Sequence, residues 1–141
     1  MSDTSNIVLP EGSSIHPSHR LVTWHPHGLL NATRAREILR FIEAQEQSAT
    51  EPFHRFADTS GLDAIHLTFA DVEELAQSRI DSYQGPPVQS AILARNPLAF
   101  GIARMYEQLM RRSPIELRVF TKLSAAADWL HVPRDVLGHA P

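Results

Sequence analysis

Histidine is the residue whose frequency and spacing first suggest chemistry in this sequence. Eight histidines occur among 141 residues, and four of them lie within positions 16–27. His25 and His27 are two residues apart, so in an extended segment both side chains point to the same side. Together with His54 from a neighbouring predicted strand, they could supply three imidazole ligands for zinc, copper or nickel. No HExxH spacing occurs and Pro26 separates the pair, which favours a solvated surface cluster instead.

Two further groups could act on a small molecule or an anion. Asp58 and Asp63 flank a connection after a predicted strand, where ligands bind in open α/β sheets, and could form a general acid/base pair. Arg95 precedes a predicted helix cap at Asn96, and Arg104 follows in the same helix, so the two could bind an anion near the start of that helix. Plainer interpretations exist for both groups. Acidic residues are common in turns, and Arg104 can form an ion pair or cap a backbone carbonyl.

The sequence lacks the motifs of the common enzyme classes. It has no GxSxG nucleophile elbow, no GxGxxG dinucleotide fingerprint and no Walker-type phosphate loop. It also has no cysteine, which excludes disulfides and thiolate metal sites in this chain. We therefore expect no cofactor and favour a non-catalytic role.

Composition and charge describe one ordinary globular domain. Thirteen Lys and Arg residues stand against sixteen Asp and Glu, a formal net charge of −3. This balance argues against binding to nucleic acid or to an anionic membrane, and no apolar run approaches the ~20 residues of a membrane-spanning helix. Residues 1–12 lack the basic and apolar regions of a signal peptide. We expect a cytoplasmic protein with a single domain at 13–132, between tails at 1–12 and 133–141.

Periodicity and chain breakers predict the elements that would position these side chains. Helix starts are marked by the caps Asn31 and Asn96 and by a capping box of Thr68 with Asp71. A connection rich in turn formers is predicted at 59–67. Strands that alternate with helices predict crossover units and a mainly parallel sheet. The predicted order is hairpin, helix, strand, helix, strand, helix, strand and helix, near residues 13–25, 31–46, 53–58, 68–83, 88–94, 96–113, 115–120 and 123–130.

The last predicted strand indicates how the layers are arranged. Three apolar residues, Ile115, Leu117 and Val119, alternate with two charged ones. A strand covered on both faces is apolar almost throughout, although a strand at a sheet edge can show the same alternation. The pattern favours helices chiefly on one face of the sheet and a partly open second face.

Several local strings, taken with this layout, match a known fold family. They are Arg20-Leu21-Val22-Thr23, Gly28, Asp58, Ala91-Ile92-Leu93-Ala94, Phe100 to Tyr106, Arg118-Val119-Phe120 and Ala126 to Leu130. Across about residues 13 to 132 the chain resembles the STAS-type fold of anti-sigma factor antagonists, and more closely the uncharacterised bacterial branch grouped as SpoIIAA-like. The resemblance implies an α/β domain with a mainly parallel sheet of four or five strands, an N-terminal hairpin and four helices packed chiefly on one face.

The resemblance also implies a candidate modification site. In anti-sigma factor antagonists an Asp-Ser-Ser-Gly stretch carries a phospho-accepting serine at the start of a helix. The corresponding stretch here is Asp58-Thr59-Ser60-Gly61. The next predicted helix begins only at Thr68, so a phosphate on Ser60 or Thr59 would lack the helix N-terminus that favours it. A turn, or a ligand-contacting loop that includes Asp63, is the alternative interpretation.

Three classes of function remain open from the sequence. The favoured one is a non-catalytic regulatory module that binds a protein partner, or a second copy of itself, through the open sheet face and the 59–67 connection. The second is a binder of a small apolar molecule, which for a drug-sized guest needs a cavity of roughly 300–1,000 Å³ between helices and sheet. The third is a phospho-regulated anti-sigma factor antagonist that uses Ser60 or Thr59.

Overall fold

Seven strands and five helices make up the computed structural model, which describes residues 9–138. The strands are β1 (Ser13–His16), β2 (Leu21–Trp24), β3 (Gly28–Asn31), β4 (His54–Asp58), β5 (Leu62–His66), β6 (Val88–Leu93) and β7 (Ile115–Phe120). The helices are α1 (Ala32–Ser48), α2 (Phe69–Ser82), α3 (Pro97–Leu109), α4 (Leu123–Leu130) and α5 (Arg134–Gly138).

The main sheet has five strands in the order β1-β2-β4-β6-β7. β1 and β2 form the antiparallel hairpin predicted at the N-terminus, and every later pairing in this sheet is parallel. The α/β class and the mainly parallel sheet are therefore confirmed. The carboxyl ends of the parallel strands share one edge, which is where α/β folds place their ligand sites.

Side chains at the predicted caps begin the first three helices. The Asn31 side chain accepts a hydrogen bond from the Arg34 amide, and Asn96 accepts one from the Ala99 amide. Thr68 and Asp71 form a complete capping box at the start of α2. These bonds satisfy backbone amides that have no partner within the helix. The predicted helix starts are confirmed.

The two faces of the sheet are covered by different helices. On one face Val22 packs against Ile38 and Phe41 of α1, and α2 and α3 lie on the same side. On the other face Leu21 and Phe56 pack against α4 and α5. Neighbouring strand residues point to opposite faces, so Leu21 and Val22 belong to two separate cores.

The partly open second face that the sequence predicts is therefore covered over the central strands β2, β4 and β6. Three of the four predicted helices do share one face, but α4 lies on the other, over buried Ala91 and Leu93. The alternation along β7 comes from its position at the edge of the sheet, where Glu116 and Arg118 are exposed.

Two segments predicted as irregular are regular elements. β3 and β5 pair in parallel as a separate two-stranded sheet, so the predicted connection at 59–67 is wrong for residues 62–66. The predicted tail at 133–141 is wrong for residues 134–138, which form α5, because Leu137 is fully buried against the α4 core. Residues 1–8 and 139–141 of the two predicted tails lie outside the described residues.

Among residues 9–138, no helix is both long enough and apolar enough to cross a membrane.

Candidate functional site

A cavity of about 190 Å³ lies between the main sheet and helices α1, α2 and α3. Its walls are mostly apolar side chains from all three helices, from β6 and from the β3–β5 pair. The principal apolar contributors are Leu30, Ile38, Ile65, Leu75, Ile92 and Ile102. The space arises because small residues face each other across the layers. Ala57 and Ser90 stand on the strands, while Ala35, Ala99 and Ala103 face them from the helices.

Arg55 is the charged residue in the wall of this cavity. It lies on β4 between Val22 of β2 and Ser90 of β6, on the face that α1 covers. Only 8% of Arg55 is exposed. Its guanidinium lies 4.5 Å from the Phe53 ring centroid and 5.2 Å from that of Tyr83. Stacking on these two rings holds the cation in a fixed orientation.

Only some of the N–H donors of Arg55 form hydrogen bonds. One terminal nitrogen donates to the Phe53 carbonyl at 3.0 Å, and the other pairs with the Glu46 carboxylate. The Nε–H is buried and has no hydrogen-bond partner among the described residues. Burial lowers the pKa of Arg55, and Arg79 adds to this effect while Glu46 opposes it.

A second buried arginine shares the same carboxylate. Arg79 is 2% exposed and also pairs with Glu46. It donates to the Ser82 hydroxyl at 2.9 Å and lies 3.5 Å from Glu43, whose side chain is 26% exposed. We call Arg55, Arg79, Glu46 and Glu43 the charge cluster. It places two buried guanidinium groups around one carboxylate whose side chain is 8% exposed.

Hydroxyl-bearing residues supply the remaining polarity of the cavity wall. Ser90, Thr59 and Tyr106 all line the cavity. Thr59 already donates its hydroxyl proton to the Leu93 carbonyl, at 2.8 Å. Burial raises the pKa of Tyr106 to about 12, against the opposing influence of Arg79 and Arg55. The Tyr106 hydroxyl therefore keeps its proton at neutral pH and can donate a hydrogen bond.

The residues predicted at the 58–63 segment lie in and after a turn, not at the start of an α-helix that could favour a phosphate. The Asp58 carboxylate accepts a hydrogen bond from the Ser60 amide, as in a common turn. Thr59 uses its hydroxyl internally, while Ser60 and Asp63 are exposed. A single 3-10 turn at Thr59–Gly61 precedes β5, so no α-helix begins at Ser60.

The predicted anion clamp of Arg95 and Arg104 is not assembled. Arg104 pairs with Glu107 one turn further along α3, which satisfies it locally. Arg95 is exposed before the Asn96 cap. Of the two plainer interpretations of Arg104, the structure supports the ion pair, whose partner lies in the same helix.

The predicted metal ligands His25, His27 and His54 are not brought together. The buried His25 donates from Nε2 to the Leu137 carbonyl at 2.8 Å, while His27 is exposed. His54 accepts a hydrogen bond at Nδ1 from the Gln89 amide at 3.0 Å. Within residues 9–138, no group of three or more His, Asp or Glu side chains is placed to hold a metal ion.

The charge cluster is the feature that sequence reasoning missed, although a signal exists. Arg79 follows Val72 and Leu75 on the apolar stripe of α2, and Glu46 follows Ile42 by one turn in α1. Arg55 occupies an inward position of β4. Charged residues at positions where the periodicity calls for apolar ones are rarely buried without a partner, so the three together point to a buried ionic group.

Comparison with known proteins supports the fold assigned to the chain. A similar solved structure is that of an uncharacterized protein of the DUF3478 family from Shewanella loihica PV-4, described as having a SpoIIAA-like fold. The two chains are 20% identical and superpose with a TM-score of 0.51, over 78% of this chain and 83% of the other. No family model and no curated protein matches the chain.

The chain is thus an α/β protein with a mainly parallel sheet. Its particular architecture is the SpoIIAA-like fold, as the sequence resemblance implied.

Proposed function

We propose that this chain is a STAS-like module that binds a small apolar molecule in the cavity between its main sheet and α1–α3. The observation that carries the proposal is the cavity itself, about 190 Å³ with predominantly apolar walls. Apolar cavities hold water poorly, since water there gains few hydrogen bonds, and they accept apolar guests instead.

The volume limits the size of the guest. The cavity is smaller than the roughly 300–1,000 Å³ typical of drug-sized ligands, and so smaller than the sequence-based hypothesis required. A cavity of about 150 Å³ with Leu, Ile and Phe walls is enough to bind benzene. At 190 Å³ the site suits a single substituted ring or a short branched chain.

Binding of a neutral ring compound tests the proposal. We expect toluene to raise the midpoint of thermal unfolding, because a ligand that binds only the folded state stabilises it. Ala103→Leu should fill part of the cavity and abolish the shift. Ala125→Leu makes the same change at an exposed position of α4 and should leave the shift intact. If every single-ring compound tested, neutral or acidic, leaves the unfolding midpoint unchanged, the proposal is contradicted.

A second candidate is association with a protein partner or another copy of this chain, in the cytoplasm as the sequence predicts. Its support is the exposure of Phe69 and Leu98, 57% and 58%, at the starts of α2 and α3. Sedimentation of the wild-type chain and of Phe69→Ser with Leu98→Ser tests it. The candidate is contradicted if the chain is a monomer at all concentrations and these substitutions weaken the binding of no partner.

The phospho-regulated antagonist has less support, since no α-helix begins at Ser60.

A further inference from the structure

We propose that the guest of this cavity is a small neutral molecule with one hydroxyl group, which forms hydrogen bonds with the side-chain hydroxyls of Ser90 and Tyr106. This inference rests on the proposed function and deepens it. It assigns the chemical class of the guest from the polar groups that the protein itself leaves unused in the cavity wall.

The first argument is that these two hydroxyls have no protein partner. Ser90 and Tyr106 line the cavity, and within residues 9–138 neither hydroxyl forms a hydrogen bond, whereas the Thr59 hydroxyl donates to the Leu93 carbonyl. Among the same residues, the Nε of Arg55 is the side-chain polar atom that is both sealed off and unpartnered. The two hydroxyls are therefore open to a small molecule. Polar groups inside a protein are nearly always hydrogen-bonded, so a guest with a matching group accounts for both.

The second argument is that the two residues lie at the same end of the cavity. Ser90 stands on β6 between Arg55 of β4 and Leu117 of β7. Leu117 packs against the same buried cluster as Tyr106. On the other side, Arg55 is close enough to Tyr106 to oppose the rise of its pKa. Both cross-strand neighbours of Ser90 are thus near Tyr106, so one polar group of a guest meets both hydroxyls.

The third argument concerns charge and favours a neutral guest. The Arg55 guanidinium is enclosed by Phe53, Tyr83 and Glu46, which line a separate pocket. The two arginines of the charge cluster are balanced by its two glutamates. The other residues of the cavity wall are uncharged. A charged guest would be buried there without a partner of opposite charge, which is costly.

The fourth argument is the hydrogen-bonding capacity of the two hydroxyls. Each can donate one hydrogen bond and accept others. Tyr106 keeps its proton at neutral pH, because burial raises its pKa to about 12. A guest hydroxyl can accept from one of them and donate to the other. The remaining wall is mostly apolar, with Leu30, Leu75 and Ile102 on three different elements, so the body of the guest is a hydrocarbon.

Paired calorimetric titrations with phenol and toluene test the inference. The two probes share the ring and carry a hydroxyl and a methyl group of similar size. In a wholly apolar cavity phenol would bind more weakly, because its hydroxyl would give up hydrogen bonds to water without replacement. We expect the wild-type chain to bind phenol at least as tightly as toluene. Ser90→Ala combined with Tyr106→Phe should weaken phenol binding by roughly tenfold or more and toluene binding by less than about threefold.

Matched controls remove hydroxyls that lie outside the cavity. The Tyr83 hydroxyl donates to the Pro86 carbonyl, and Ser78 is exposed on α2. Ser78→Ala combined with Tyr83→Phe should leave both affinities unchanged. Ala103→Leu fills part of the cavity and should remove the binding of both probes.

The outcomes separate this inference from the proposed function. Phenol binding more weakly than toluene to the wild-type chain overturns the hydroxyl assignment and leaves the apolar site standing. So does phenol binding that is undiminished in the double variant, or that survives Ala103→Leu. Should the double variant fail to fold, Ser90→Ala and Tyr106→Phe are tested singly, and each should weaken phenol binding by roughly threefold or more. If neither probe binds, both proposals fall.

Discussion

Glu46 joins the two buried arginines of the charge cluster. Its carboxylate accepts hydrogen bonds from Arg55 and Arg79. Glu46→Gln keeps the size of the side chain but leaves both guanidinium groups without their shared anion. Because an unpaired buried charge is costly, we expect a loss of roughly 3–5 kcal/mol in the free energy of unfolding, measured by urea denaturation.

Glu74→Gln is the matched control for that substitution. Glu74 also pairs with an arginine, Arg36, at 2.8 Å, but its side chain is 67% exposed. Exposed ion pairs contribute at most about 1 kcal/mol, so we expect a loss below that limit. Equal losses in the two variants would show that burial gives the charge cluster no special weight.

His54 links stability to pH. Burial lowers its pKa below the usual 6.5, with smaller contributions from Arg55 and Arg20, and its Nδ1 accepts a hydrogen bond from the Gln89 amide. The unfolded chain therefore takes up a proton at a higher pH than the folded chain does. The free energy of unfolding should fall as the pH drops through 6.5 towards the lower folded value. Denaturation between about pH 7 and pH 5 measures this slope. His54→Asn, which retains an acceptor, should reduce the slope and leave the part due to His16, whose pKa burial also lowers. An unchanged slope would contradict the assignment.

At the scale of elements, a substitution in α5 tests whether this helix belongs to the core. Leu137 is 0% exposed, and its carbonyl accepts the hydrogen bond of His25. Leu137→Ala should cost roughly 2–5 kcal/mol, because it opens a cavity in a packed core. Leu98→Ala makes the same change where the side chain is 58% exposed and should cost less than about 1 kcal/mol. Equal effects of the two substitutions in denaturation would place α5 outside the core.

The helices that begin at a capping residue were predictable from the local sequence. The caps Asn31, Thr68 and Asn96 each satisfy a backbone amide within three residues, so no distant contact is needed to find them. β5 depends on pairing with β3, more than thirty residues away in sequence. α5 is too short, at five residues, to show a period. Short elements of this kind are decided by packing rather than by propensity.

The buried charged residues of the candidate site were predictable from the sequence, but the volume of the cavity was not. Arg55, Arg79 and Glu46 occupy inward positions where apolar residues are expected, which a periodicity analysis can detect. The cavity depends on how small side chains such as Ala57 and Ala103 meet across two layers. The distance between the helices and the sheet is set by every helix packed on the sheet, so it cannot be predicted from any single segment of the sequence.

At the scale of the whole molecule, the two sheets should differ in stability. β4 and β6 have a hydrogen-bonded neighbour on each side, whereas β3 and β5 have only each other. A two-stranded sheet is marginal by itself in water. The β3–β5 pair is instead held by packing, and Leu30 and Ile65 face the cavity, where contacts are missing.

Local opening should therefore concentrate on one side of the cavity. Because segments with few buried contacts open most readily, we expect the amides of β3 and β5 to exchange hydrogen faster than those of β4 and β6, as hydrogen-exchange mass spectrometry measures. A guest that fills the cavity restores contacts to Leu30 and Ile65, so saturating toluene should slow exchange in β3 and β5 far more than in β1. Uniform protection across the strands, or a ligand effect confined to β1, would mean that the cavity and the small sheet are not coupled. The exposed position of the small sheet in the fold would then have no bearing on ligand binding.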